Sequence, residues 1–386
     1  MTTQLSLNFT QAPATSDSSY CPNYGNETVL LTPADKTLAI VMYSTVALIS
    51  AAGNSAVIFI ILYFIRMRTP TNYFLLTLAI SDVLMAAMCI PFSYWPVLIL
   101  QYWPFGAAMC KMLSFFKVTA VMCSAHTLVA ISIDRFAAIM FPLHHRLTPK
   151  VALCIIISIC SCDVLIASPI LVVSQIQRIS NSSTSEHCIE NWSSSSGGFT
   201  YSSIIMVLQY FFPLITMATT YLAIGCKLWL SRTPGETGAK IENCRKKTKR
   251  KAIAMMFVVS VAYAVCWLPH NALTMIRFRC PSFTGHPYII FIWWGCHFMG
   301  MCQCAVNPFI YLFASERFRE GYAFLLQWCP CIQYQPKALA ISNTSTVRGT
   351  GKGRLRNSRR TQTSKALKAR ERLINRCYSS EPTIYV

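Results

Sequence analysis

Val46-Ala47-Leu48-Ile49-Ser50-Ala51-Ala52-Gly53-Asn54-Ser55-Ala56-Val57-Ile58-Phe59-Ile60-Ile61-Leu62-Tyr63-Phe64 runs through nineteen positions without one Asp, Glu, Lys or Arg. The uncharged stretch extends back to Leu38. A helix rises 1.5 Å per residue, so about 20 such residues cross the hydrocarbon layer of a bilayer. Six further apolar blocks follow at 72–99, 107–139, 151–174, 201–230, 251–277 and 287–313, which makes seven with the first at 38–64. The composition agrees: 54% of residues are hydrophobic and 12% charged, where a soluble globular chain carries about 25% charge. A soluble domain, a disordered chain and a collagen-like chain are thereby excluded. Most of the eighteen cysteines lie inside the apolar blocks, where thiols behave as small hydrophobes rather than as a secreted disulfide framework. The expected fold is an all-α membrane protein, a seven-transmembrane helix bundle with a short amphipathic eighth helix.

Charge placement sets the expected orientation. One set of loops carries Arg66 and Arg68, then Arg135, Arg146 and Lys150, then Arg245, Lys246, Lys247, Lys249, Arg250 and Lys251; by the positive-inside rule this set is cytoplasmic. The opposite loops hold Glu186, Glu190 and the glycan acceptor patterns at Asn181 and Asn191, and the polar residues 1–36 add acceptors at Asn8 and Asn26. No basic start followed by an apolar stretch precedes the first block, which is therefore expected to act as its own signal. The organisation expected is an extracellular glycosylatable N-terminus at 1–36, a bundle at 37–314, an amphipathic helix with an anchor at 315–331, and a disordered basic cytoplasmic tail at 332–386. Such a chain belongs in the plasma membrane with its N-terminus outside and its C-terminus in the cytoplasm.

Ser315 to Leu326 is charged at its start and apolar at Phe318, Tyr322, Leu325 and Leu326, the spacing of a short helix lying on the inner leaflet. Cys329 and Cys331 follow where palmitoyl chains could anchor them. The tail from Lys337 holds much of the net charge of +20. On a membrane protein the nearest polyanion is the lipid surface, so membrane lipids rather than nucleic acid are its expected partner. The terminal Ile384-Tyr385-Val386 is a short pattern that could add a strand to a PDZ domain.

Polar residues inside apolar blocks cost about 2.5–3.5 kcal/mol when charged, so each needs a partner or a cavity. Asp82 in the second block lies at a depth comparable with Asn54, Ser124 and Asn307, and the four together offer oxygen ligands for a sodium ion. Asp134-Arg135 at the inner end of the third block is either a boundary pair or a group that can swing to a cytoplasmic partner. His126 in the third block reads as a contact between helices. Pro91, Pro169, Pro213, Pro269 and Pro308 each remove a backbone hydrogen bond and can kink their helices, and several kinked helices suit a switch. Cys110 and Cys188 both face the oxidising side, where a bridge is chemically permitted and would pin the outer loop over the mouth of the bundle.

In order along the chain, Gly53-Asn54, Leu78-Ala79-Ile80-Ser81-Asp82, Cys110 with Asp134-Arg135-Phe136, Pro213 with Tyr221, Cys266-Trp267-Leu268-Pro269 and Asn307-Pro308-Phe309-Ile310-Tyr311 resemble the rhodopsin-like (class A) G-protein-coupled receptors over residues 38–328. Arg68 to Phe74, Trp103-Pro104-Phe105-Gly106 and Cys188-Ile189-Glu190-Asn191-Trp192 are similar to the neuropeptide FF, orexin, RFamide and tachykinin receptors among them. The resemblance implies a neuropeptide ligand, a heterotrimeric G protein, arrestin and receptor kinases as partners, and no catalysis. It further implies that Arg135 holds the resting state through Asp134 and engages the G protein once the sixth helix moves out. Trp267 would be the rotamer switch, with Pro269, Asn307 and Pro308 in the moving segments and Tyr221 and Tyr311 steadying the opened form. Asp82, Asn54, Ser124 and Asn307 match the family's allosteric sodium site. The chain departs from the family pattern at Ile159 and Cys160, where a tryptophan is usual, at Asp163, at Tyr263, where a phenylalanine is usual, and at Gln303 and Cys304.

Lys117 stands seven residues after Cys110, where amine receptors carry an aspartate. It would repel a ligand ammonium by about 4 kcal/mol at roughly 4 Å and an effective dielectric of 20, which disfavours amines. Met301 stands where an opsin has its retinal lysine. Arg277 and Arg279 near the outer end of the sixth block, with His270 and His297 deeper, suit a peptide bearing an acidic, sulfated or free carboxylate group. The competing reading is a basic peptide held by Glu190 beside Trp192. Gln209, Trp267, His270, Asn271 and His297 complete an aromatic pocket with polar handles. A small acidic or lipid ligand is the alternative within the family. A transporter fits less well, because residues 38–174 and 201–313 show no internal repeat. No nucleophile with an ordered base and no phosphate loop is present, so an enzyme is not expected.

Overall fold

The computed structural model describes residues 29–141, 147–178, 186–230 and 239–327. Seven helices long and apolar enough to cross a membrane are α1 Pro33–Tyr63, α2 Pro70–Leu100, α3 Gly106–Met140, α4 Pro149–Val173, α5 Gly197–Lys227, α6 with its spanning part Ile253–Arg277, and α7 Ile289–Ala314. Between α4 and α5 lie β1 Ser174–Arg178 and β2 Glu186–Glu190, an antiparallel pair. A short α8, Glu316–Leu325, follows α7. Asn8, Asn26, Asn181, Cys329, Cys331 and the basic tail fall outside the described residues, whereas Asn191 is described and exposed.

The helix limits differ from the hydropathy blocks where capping decides them. α1 begins at Pro33 rather than 38, because Thr32 accepts from the Asp35 backbone while Asp35 reaches back to the Thr32 N–H. This reciprocal cap, with proline at the first position, starts a helix ahead of its apolar run, so the boundary expected at 36 lies inside α1. Thr69 and Thr148 cap α2 and α4 in one direction only, accepting from the Asn72 and Val151 backbone N–H, and each is followed by proline. α6 continues a helix that starts at Ala239, inside the basic segment read as loop, since Lys and Arg are good helix formers with no need of the bilayer.

Two kinds of surface follow from burial. Leu48, Leu165, Val172, Ile215, Leu222 and Phe313 point outward, Val172 with 80% and Phe313 with 77% of its surface exposed, as lipid-facing positions do in a bundle. Inward, α1 and α7 meet so closely that a Cβ on Gly53 would lie 2.8 Å from the ring of Pro308, and one on Gly321 of α8 would lie 2.7 Å from Ile60. Small residues at these two places let the backbones approach. Phe318 of α8 is buried and stacks on Tyr311 at 5.3 Å, which ties α8 to the end of α7.

Two of the prolines follow a widened turn of their helix, with an added consequence. Pro213 cannot donate to the Gln209 carbonyl, and α5 widens into a π turn over Val207–Phe211. The carbonyls left open are taken by other helices: Tyr263 donates to the Gln209 oxygen at 2.6 Å, and His126 bonds the Leu208 oxygen at 3.1 Å. α2 has similar wide turns at Met85–Cys89 before Pro91 and at Trp95–Leu100.

Candidate functional site

At the mouth of the bundle, Cys110 of α3 and Cys188 of β2 are joined by a disulfide with 5.6 Å between Cα atoms. Ile176 faces Cys188 in the hairpin register. Trp103 packs against Cys110 and Leu113, gives its indole N–H to the Gly106 oxygen at 2.9 Å, and gives its backbone N–H to the Glu186 oxygen at 2.6 Å. Gly106 holds a φ of 77° in that turn, a region that suits glycine. The Trp103-Pro104-Phe105-Gly106 stretch therefore clamps the hairpin to the top of α3.

The loop residues expected to touch ligand are partly occupied with one another. The Trp192 indole donates to Glu190 at 3.1 Å, its ring lies 4.9 Å from Tyr201, and it packs on the Phe115, Ala167 and Ile170 cluster. Arg178 and Glu186 make an exposed cross-strand pair at 3.4 Å. Burial lowers the pKa of His187, which keeps that imidazole neutral at physiological pH.

Beneath the hairpin, α3, α6 and α7 bring Lys117, Trp267, His270 and His297 together. Lys117 makes no hydrogen bond or ion pair among the described residues, and its charge is felt by Cys89, His270 and His297. The His270 ring lies 5.9 Å from Trp267 and 6.2 Å from His297. Trp293 stacks on His297 at 4.6 Å, and the Tyr43 hydroxyl bonds His297 Nδ1 at 2.8 Å. Trp267 Nε1, His270 Nδ1 and His297 Nε2 are buried with no hydrogen-bond partner. Asn271, by contrast, spends its amide on the Trp267 carbonyl at 2.8 Å. Gln209 contributes its backbone oxygen to Tyr263. Gly300 approaches the Trp267 ring, and a Cβ there would lie 3.4 Å from it.

Deeper, Asp82 is buried and accepts from the Asn307 amide at 2.7 Å. The Asn54 amide bonds the oxygens of Ser50 and Cys304, each at 2.9 Å. The side-chain oxygens of Asn54 and Asn307 have no partner, and Ser124 is buried on α3. These open oxygens around a buried carboxylate fit the donor set a hard cation needs.

At the inner end, Arg135 pairs with Asp134 through Nε at 3.2 Å and Nη2 at 2.5 Å. Thr71 of α2 donates to the same carboxylate at 3.0 Å and also accepts from Arg135. Sequence reasoning missed Thr71 as a third member, since nothing in its own neighbourhood marks it. The Tyr311 hydroxyl is buried without a partner, and Tyr221 is buried on α5.

Two departures from the family pattern acquire a physical reason here. Asp163, fully buried on α4, lies 2.7 Å from His126 Nδ1, while His126 Nε2 faces the Leu208 oxygen. Both ring nitrogens thus face acceptors, an arrangement that the doubly protonated ring satisfies beside a carboxylate. Cys160 stands where a tryptophan is usual and brings its sulfur to 3.5 Å from that of Cys123. The contact joining α3, α4 and α5 is polar where the family pattern predicts an aromatic one.

A profile described as "7 transmembrane receptor (rhodopsin family)" matches residues 53–311. The Caenorhabditis elegans protein named neuropeptide receptor 22 is 39% identical over 82% of this chain and 75% of its own length. The Drosophila melanogaster RYamide receptor is 35% identical over 76% of this chain and 64% of its own, and the Rattus norvegicus neuromedin-K receptor 36% identical over 75% and 64%. The chain thus spans three quarters of the nematode protein and under two thirds of the other two.

Proposed function

Because this chain belongs to the rhodopsin family of seven-transmembrane receptors, which are signalling receptors and not enzymes, we propose that it binds an extracellular neuropeptide and activates a heterotrimeric G protein. The relatives named for neuropeptides, RYamide and neuromedin-K support the ligand class. One observation carries the reading of the site: Lys117, which has no hydrogen bond or ion pair among the described residues, lies near enough for its charge to act on His270 and His297, and Trp267, His270 and His297 keep buried polar atoms without partners. Buried polar groups are ordinarily paired, so a site left open is completed by a ligand. An anionic group on the peptide pairs with Lys117 of α3, and Arg277 lies two turns beyond His270 along α6. The reading with a basic peptide on Glu190 is the weaker one, because that carboxylate already accepts from Trp192.

The inner face supports G-protein coupling through Arg135. The Asp134, Arg135 and Thr71 cluster holds the guanidinium at home, and release of α6 around Pro269 frees it for the α-subunit. Arrestin and receptor kinases are the further partners of this face. The plasma membrane with the N-terminus outside is the proposed location, supported by the basic inner loops and by a disulfide on the opposite end. Sodium is proposed at Asp82, Asn54, Ser124 and Asn307, supported by the unpartnered oxygens of the two asparagines. A bound ion would favour the closed packing, so replacing sodium by a bulky organic cation should tighten peptide binding, and Asp82→Asn should remove the difference. Equal binding in both salts speaks against the ion.

The primary experiment is a panel of amidated, sulfated and free-carboxylate neuropeptides on expressing cells, reading calcium and cyclic AMP. Arg135→Ala should abolish the response while surface expression and peptide binding persist. Full signalling by that variant overturns the proposal.

A further inference from the structure

Three consecutive residues of the α5 π turn are each bonded to another helix, and two of them meet α6. The Leu208 oxygen faces His126 of α3 at 3.1 Å, and His126 in turn lies 2.7 Å from Asp163 of α4. The Gln209 oxygen accepts from the Tyr263 hydroxyl of α6 at 2.6 Å, and the Tyr210 hydroxyl donates to the Ala264 oxygen of α6 at 3.1 Å. Gln209 and Tyr210 adjoin in the chain, as do Tyr263 and Ala264, so each helix gives one hydroxyl and one carbonyl to the other. We propose that this reciprocal pair is a clasp that holds α6 against α5 in the resting receptor, with Tyr210 and Tyr263 as the positioning residues that set how often α6 opens without a ligand.

The clasp arises from Pro213 and from the tyrosine at 263. In an α turn the Gln209 oxygen would accept from the N–H of residue 213, and in a π turn the Leu208 oxygen would accept from the same group. Proline has no N–H to give, so both carbonyls are left for other helices. A phenylalanine at 263 would keep the ring and leave the Gln209 oxygen without this donor. Tyr210 and Tyr263 are both buried, where a hydroxyl must find its partner inside the bundle.

Its place in the bundle suits a hold on the moving helix. Tyr263 and Ala264 lie six and five residues before Pro269, about 7–9 Å along α6 on the inner side of that proline. On the other side of the clasp, His126 and Asp163 tie the same turn of α5 to α3 and α4. An outward swing of the inner part of α6 about Pro269 therefore leaves the α5 turn behind and lengthens both bonds together. Farther in, α5 and α6 touch through the rings of Tyr221 and Phe257 at 5.5 Å, a contact with no hydrogen-bond direction that can slide. Above the clasp the Trp267 ring lies 6.4 Å from that of Tyr263, so a ligand that displaces Trp267 disturbs the ring whose hydroxyl closes it. The clasp is closed in the same packing in which Arg135 is paired with Asp134, and two arrangements of one packed element are what a switch requires.

The inference rests on the G-protein reading proposed above, and two measurements separate them. Membranes carrying the full chain, Tyr263→Phe, Tyr210→Phe or both changes, matched for surface expression, are mixed with purified heterotrimers of each α class, and exchange of GDP for a labelled GTP analogue is followed without peptide. A hydrogen bond between membrane helices is worth about threefold in an equilibrium, so basal exchange should rise about threefold in each single variant and further in the double one. Tyr201→Phe is the matched control: it removes a hydroxyl bonded to the Ile166 oxygen of α4 at 3.0 Å, a bond of the same kind that does not involve α6, and basal exchange should stay at the parent level. An equal rise in Tyr201→Phe reports general loosening and overturns the clasp. Hydrogen–deuterium exchange of the purified chain in detergent micelles supplies the readout without G protein: amides 253–264 on the inner part of α6 should exchange faster in Tyr263→Phe than in the parent or in Tyr201→Phe. Faster amides with no nucleotide exchange on any heterotrimer overturn the G-protein reading and leave the clasp standing. Amides and basal nucleotide exchange both unchanged in Tyr263→Phe and Tyr210→Phe overturn the clasp.

Discussion

Over the mouth of the bundle Glu190 accepts from Trp192, Arg178 pairs with Glu186, Trp103 bonds Gly106, and Cys110 is joined to Cys188. Below, Lys117 has no hydrogen bond or ion pair among the described residues, and the buried Nε1 of Trp267, Nδ1 of His270 and Nε2 of His297 have no partner there either. The two regions use the same kinds of residue, acids and bases among aromatic rings, and differ in whether those residues complete one another. A satisfied set is a scaffold: its geometry is fixed by its own bonds and any ligand must displace them. An unsatisfied buried set carries a desolvation cost of about 1–3 kcal/mol per polar group, which a matching ligand relieves. The contrast agrees with the proposal above, in which the hairpin shapes the entrance and the open set below it meets the ligand.

The largest expected effect breaks the scaffold. Cys188→Ala removes a link that holds the hairpin on α3, a loss of about 2–5 kcal/mol; surface expression and peptide binding should both fall steeply. Normal trafficking and binding would show that Trp103 and the β pairing hold the hairpin without it. A smaller effect sharpens the contrast from the cavity side. Lys117→Gln removes the unpaired cation, and the potency of an anionic peptide should fall tenfold or more, about 1.4 kcal/mol or above, with expression unchanged. An unaltered dose-response curve would move recognition out of the cavity. The smallest effect is expected at Glu190→Gln, where the amide oxygen still accepts from Trp192. A change of about threefold or less fits a structural acid with its bond preserved; a tenfold loss for a basic peptide would reverse the roles of the two regions.

Much of this was legible from composition. The seven spans and the short α8 rest on hydropathy and charge, which the bilayer reads residue by residue. Cys110 and Cys188 were legible as a permitted pair, and the order of Asp82, Asp134-Arg135, Trp267 and Asn307-Pro308 as a family pattern. The helices α1 and α6 start ahead of their apolar blocks for one reason: hydropathy reports the hydrocarbon layer, whereas a cap at Thr32 or a run of helix-forming Lys and Arg extends a helix beyond it. That Glu190 accepts from the Trp192 indole was not legible, because spacing alone does not say which neighbour a side chain meets.

Sequence by itself determined the number of crossings, the orientation expected of them and the family, because each depends on local runs of residue type. Tertiary structure alone decided which polar groups meet. His126 finds Asp163 on α4 and a carbonyl of α5, Tyr263 finds the carbonyl that Pro213 leaves open, Thr71 joins Asp134 and Arg135, and Tyr43 holds His297. These partners lie up to 254 positions apart in the chain. Their meeting depends on how each helix is rotated and where a π turn shifts its face, and a single linear pattern carries neither quantity.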